Sequence, residues 1–282
     1  MAKLTIAVCR AQGEAEHWTG GEDEIHLVYP EQYEPGDKIV FTSDEIPGFY
    51  VIRVDGAMDE AYVYLTQPRL EYLIPFEQDN PLKADRISYH PGSFTGKQHY
   101  ISMRRAKKQE NKNYRNLAKN VIDQHEDVGC YPHVHANAET KGPIASLFAA
   151  RNVIDGLLAN TCHWPWPYTS WGIDQREDAE ITVEFGRPVD MDELRLTTRA
   201  DFPHDSWWIQ ATVTFSDGTS EKVPLSKQAE PQPFPIKKRS ITWLRVGEFV
   251  KADDPSPFPA LTQIEVYGKN SEKRSNKYEH NE

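Results

Sequence analysis

The chain has 282 residues, 27% of them charged and 38% hydrophobic, with a formal net charge of -11. That length suits two domains of ordinary size. A mean hydropathy of -0.68 with no run of 18 apolar residues argues against a bilayer-spanning helix. The negative charge and the shortness of the basic stretches, Arg104-Arg105 with Lys107-Lys108 and 237–239, argue against nucleic acid and anionic membrane as partners.

Taken in chain order, the N-terminus (MAKLTIAVCRAQGE) has no secretory core and no small-residue cleavage site, so the expected location is cytoplasmic. A PGD turn at 35–37 precedes KIVFT (38–42). The turn-rich SDEIPG (43–48) leads to FYVIRV (49–54), and DGAMDE (55–60) leads to AYVYL (61–65). LEYLIPF (70–76) and HYISMRR (99–105) follow. β-Branched and aromatic runs bounded by Gly, Pro, Asp and Ser are the pattern of strands and hairpins. Residues 1–106 are therefore expected to form a small antiparallel sandwich or jelly roll of unknown role. The polar KKQENKN (107–113) has no apolar period and reads as a linker.

The second half, 114–269, repeats the pattern. SLFAARNVID (146–155) is expected to be a short helix or helical turn. ITVEF (181–185), ELRLTTR (193–199) and ATVTF (211–215) alternate apolar and polar residues. An Asp217-Gly218 turn links the last of these to EKVPL (221–225), and ITWLRV (241–246) and LTQIEVYG (261–268) close the domain. Residues 270–282 are polar and are expected to be disordered. The fold class is all-β, two antiparallel sandwiches in tandem. The three cysteines, Cys9, Cys130 and Cys162, are too few and unsuitably spaced for a disulfide framework or a zinc site.

A series of short motifs in the second half, each weak alone, falls in a recognisable order. Asn116-Leu117-Ala118 is followed by Ala150-Arg151-Asn152-Val153-Ile154-Asp155-Gly156 and then Trp171. ITVEFG (181–186), FSDG (215–218) and IEVYG (264–268) complete it. In this order the segment resembles a discoidin domain, also called a coagulation factor V/VIII C-type domain, the group that includes the family 32 carbohydrate-binding modules. The resemblance covers a little over half the chain. It implies a galactose-binding-like β-sandwich with a ligand site among loops at one end. It also implies a structural calcium, whose matching ligands here are Asp155, Asn160, Thr161 and Glu265. Hard cations take six or more oxygens, which suits these residue types. The insertion of Leu157-Leu158 departs from the family pattern around Asn160 and Thr161.

Six of the seven tryptophans lie in this half. Flat aromatic faces suit the C–H faces of sugars, and charged or amide groups suit their hydroxyls. Two loops have that mixture. CHWPWPYTSWG (162–172) contains Trp164 and Trp166, with Trp171 expected in the core. TRADFPHDSWW (198–208) contains Arg199, Asp201, His204 and Asp205 beside Trp207 and Trp208. These eight loop residues other than Trp171 are the expected ligand contacts. His133 and His135, with His125 or His163, form a weaker metal candidate.

The function expected is carbohydrate binding, the partner an oligo- or polysaccharide. The alternatives are a carbohydrate-active enzyme with its site between the two domains, drawing on His90, His99 and Tyr100, or a protein-protein adaptor. Whether the chain is an enzyme stays open, since no GxSxG, P-loop or HExxH motif is present.

Overall fold

The computed structural model describes residues 1–75, 85–142, 144–160, 166–200 and 206–271. The first sandwich contains β1 (Lys3–Cys9), β2 (Ala15–Glu22), β3 (Glu24–Tyr29), β4 (Lys38–Ser43), β5 (Gly48–Arg53), β6 (Ala61–Leu65), β7 (Arg69–Leu73) and β8 (His99–Arg105). One sheet has the order β2-β1-β4-β7. The other has β6-β5-β8-β3, with β10 (Cys130–Tyr131) added beside β6. Period-two alternation explains the layers. Ile25, Leu27 and Tyr29 point inward while Glu24, His26 and Val28 face out. The core between the sheets joins Ile6, Val8, Phe41, Ile52 and Met103 to a column of rings. Tyr29 stacks on Tyr33 at 5.0 Å, Tyr33 lies 4.3 Å from His99, and Phe94 lies 5.8 Å from Tyr89.

The second sandwich contains β9 (Arg115–Asn116), β11 (His133–Ala136), β12 (Trp171–Gly172), β13 (Ile181–Thr198), β14 (Trp208–Phe215), β15 (Ser220–Pro224), β16 (Gln232–Lys251) and β17 (Ala260–Asn270). The strands pair in the order β12-β17-β13-β16-β14-β15, with β11 on β13 and β9 on β17. Every pairing is antiparallel. The expected strands at 181–185 and 193–199 form one long strand, β13. Its register against β16 jumps from Glu184–Trp243 to Val189–Ile241. Such irregularities bend a strand and re-aim its side chains. The intervening Gly186 has φ 64°, and a Cβ there would lie 2.3 Å from the Tyr131 ring. Only glycine fits that turn and that contact. The expected helix at 146–155 is two 3₁₀ turns, Ala145–Phe148 and Ala150–Ile154.

The two sandwiches share chain. Leu117 and Ala118 belong to the second core, whereas Ile122 and Cys130 belong to the first, and Val134 returns to the second. The polar stretch 107–113 carries a 3₁₀ turn, Glu110–Lys112, and Glu110 forms a two-pronged ion pair with Arg104. Cation–π contacts also join the sandwiches. Arg115 lies 4.0 Å over Tyr62, and Arg187 lies 4.9 Å from Phe49 and 5.3 Å from Tyr64. Arg187 also donates to the Phe185 carbonyl and to Asn270 Oδ1. The expected tail begins inside β17, and 272–282 lie outside the described residues.

Candidate functional site

The described loops converge on a cleft of about 240 Å³ between the two sandwiches. From the first sandwich come Asp59, in the turn after β5, and Tyr89 and His90, just past the 3₁₀ turn Asp85–Ser88. From the second come Arg151, Asp155 and Trp166. His90 meets Trp166 edge to face at 4.7 Å. The Gly92 N–H donates to His90 Nδ1, so the neutral ring carries its proton on Nε2. Arg151 lies 4.3 Å over the Tyr89 ring and donates to Ser88 Oγ. The cleft thus has aromatic walls and charged or hydrogen-bonding groups within one small volume. A cavity below the roughly 300–1,000 Å³ of typical small-molecule pockets suits a small group rather than an extended polymer.

Asp155 follows the turn Ala150–Ile154, and Gly156 takes φ 86° after it. The carboxylate accepts from Leu157 N–H at 2.8 Å, Thr169 Oγ1–H at 2.9 Å and Gln263 Nε2–H at 2.5 Å. Burial nevertheless outweighs these donors and pushes its pKa up to about 6. Gln263, on β17, also donates to Asn152 O at 2.7 Å and accepts from Gly156 N–H at 3.1 Å.

Among the described residues, only one member of the expected contact set, Trp166, lines this cleft. Arg199 requires correction. It is 2% exposed, its guanidinium lies 3.8 Å over Tyr168, and it donates to the Thr169 carbonyl. The Thr169 hydroxyl in turn donates to Asp155. Trp208 also requires correction. It is 1% exposed and stacks on Phe249 at 4.3 Å, because the start of β14 turns it inward. Trp207 is half-buried, with Lys227 Nζ 4.9 Å over its ring, and does not line the cleft. Asp201, His204, Asp205, Trp164 and Thr161 lie outside the described residues. Trp171 is fully buried and donates Nε1–H to Ala138 O.

Of the calcium set, Asp155 gives its oxygens to the three donors above, and Glu265 Oε1 accepts the Tyr267 hydroxyl at 3.0 Å. Asn160 is half-buried. Of the histidine metal candidate, His163 lies outside the described residues. His133 is buried and bound to Asp123 at 2.9 Å, which together with nearby acidic charge raises its pKa despite burial. His135 is exposed beside Glu184. Among the described residues no group of three or more His, Cys, Asp or Glu side chains could hold a metal. The catalytic trio His90, His99 and Tyr100 does not assemble. His99 is buried against Asp55 at 3.0 Å, and Tyr100 donates to or accepts from His26 on the outer face. Sequence reasoning missed Tyr89, Arg151 and Gln263. Arg151 stood inside the Ala-Arg-Asn-Val-Ile-Asp-Gly motif, but its meeting with Tyr89 joins distant parts of the chain and needs the fold.

No family model matches the chain, and no curated protein matches it. Among solved structures, it is similar to chitosan-binding module 1 of a chitosanase/glucanase from Paenibacillus sp. IK-5, at 18% identity and TM-score 0.38. That likeness covers 54% of this chain and 98% of the module. It is similar to the family 32 carbohydrate-binding module of Clostridium perfringens NanJ in complex with galactose, at 12% identity and TM-score 0.36, covering 48% of this chain and 91% of that one. The C-terminal domain of a Bacteroides fragilis chitobiase is similar at 13% identity and TM-score 0.38, covering 49% and 92%.

Proposed function

We propose that the chain binds a saccharide, with one sugar residue seated in the cleft between its two sandwiches. One observation carries the reading: Trp166, His90 and Tyr89 bring aromatic surface to a small cavity that also holds Asp155 and Arg151. An indole face covers the C–H face of a pyranose, while a carboxylate and an Nε2–H satisfy its hydroxyls. Binding of wild type and Trp166→Ala to immobilised glycans, followed by titration calorimetry, tests it. Removing one stacked ring should weaken affinity about 5-fold, since an aromatic contact contributes on the order of 1 kcal/mol beyond area burial. Unchanged affinity in Trp166→Ala, with the wild type binding, defeats the cleft assignment.

A second reading, glycoside hydrolysis, is favoured by one feature. Asp155, with its raised pKa, and Asp59 both line the cleft. Hydrolases pair an acid of raised pKa with a second, ionised carboxylate. Release of reducing ends from a bound glycan would favour this reading, and recovery of the glycan intact would favour binding alone.

A further inference from the structure

We propose that the Gln263 carboxamide takes the place of a divalent cation in the 150–157 turn, so that a neutral hydrogen-bonded lock, independent of calcium, joins this turn to β17. A calcium ion needs several oxygens turned toward one point and prefers anionic ones. Two oxygens do converge here, Asn152 O and Asp155 Oδ1. They converge on the Gln263 –NH₂, at 2.7 and 2.5 Å. That group has two protons, and both are used.

The third contact orients the amide. Gly156 N–H donates to Gln263 Oε1 at 3.1 Å, so two acceptors face the nitrogen and one donor faces the oxygen. Turning Oε1 inward to serve a cation would set Gly156 N–H against Nε2 and leave it without an acceptor, which is costly for a part-buried amide. The Asp155 carboxylate is also committed. Leu157 N–H and Thr169 O–H point their hydrogens at it, and a cation would have to displace them. Asp155, the central member of the matched calcium set, therefore gives its oxygens to donors rather than to an ion.

The lock is tested on the full chain by thermal melting in excess EDTA and in millimolar calcium, with calcium titration calorimetry alongside. None of these measurements depends on saccharide binding. Wild type should melt at one temperature in both buffers and give no calcium-binding heat. Gln263→Met loses both ends of the amide and should melt lower by roughly 5 °C, equally in both buffers. Gln263→Glu sets two carboxylates together. It should melt lower in EDTA and recover in calcium. A wild-type melting temperature that rises with calcium, stoichiometric calcium heat on wild type, or an unshifted Gln263→Met overturns the proposal. Should Gln263→Glu fail to fold, wild type and Gln263→Met decide.

Discussion

Replacing Asp155 by asparagine should change how the protein's stability depends on pH, and the structure sets both sign and size. Asp155 as a residue is half-buried at the cleft, and burial of its carboxyl raises the pKa from 3.8 to about 6. In the unfolded chain it titrates near the ordinary value. Because the folded pKa lies above the unfolded one, folding favours the protonated form. The stability this contributes is fully present below about pH 4 and is lost as pH rises through about 6. A shift of about 2 units at about 1.4 kcal/mol each corresponds to about 3 kcal/mol. The side-chain amide in Asp155→Asn keeps an acceptor for the Leu157 and Gln263 donors, and its –NH₂ can donate to the Thr169 hydroxyl. The variant should therefore gain on wild type by up to about 3 kcal/mol between pH 4 and pH 7. Urea unfolding across that range, followed by tryptophan fluorescence, measures the difference, and six of the seven tryptophans report on the second half. A difference independent of pH, or wild type gaining on the variant as pH rises, would refute the reasoning.

Two further outcomes follow from contacts away from the cleft. Arg187→Ala removes the Arg187 donors from the Phe185 carbonyl and from Asn270 Oδ1, which keeps only the longer bond from Arg115, and removes the cation from over Phe49 and Tyr64; unfolding should cost about 3 kcal/mol less, with the melting of both sandwiches affected, as differential scanning calorimetry would record. Trp208→Ala empties a core position stacked on Phe249 and should destabilise by roughly 3–5 kcal/mol in urea unfolding, where an exposed ligand contact would leave stability nearly unchanged.

The strands at 38–42, 49–54, 61–65 and 99–105 were legible because alternation and flanking turns are local properties. Leu4, Ile6 and Val8, and Ile25, Leu27 and Tyr29, carry the same alternation, yet β1 to β3 are absent from the sequence reading. There the opening residues are weighed only as a leader segment. Tryptophan content alone points to Trp166 and Trp208 equally. The difference arises because β14 turns Trp208 onto Phe249, while Trp166 ends beside His90 of the other sandwich.

By itself the sequence determined the all-β class, the positions of most strands and the Asp217-Gly218 turn, since these depend on side-chain period and backbone preference within a few residues. Tertiary structure alone decided which polar groups meet. Arg199 lies under Tyr168, Gln263 reaches Asp155 across 108 positions, and Tyr89 lies beneath Arg151. Those pairings depend on strand order and on the long-range closure of two sandwiches, which no local pattern encodes.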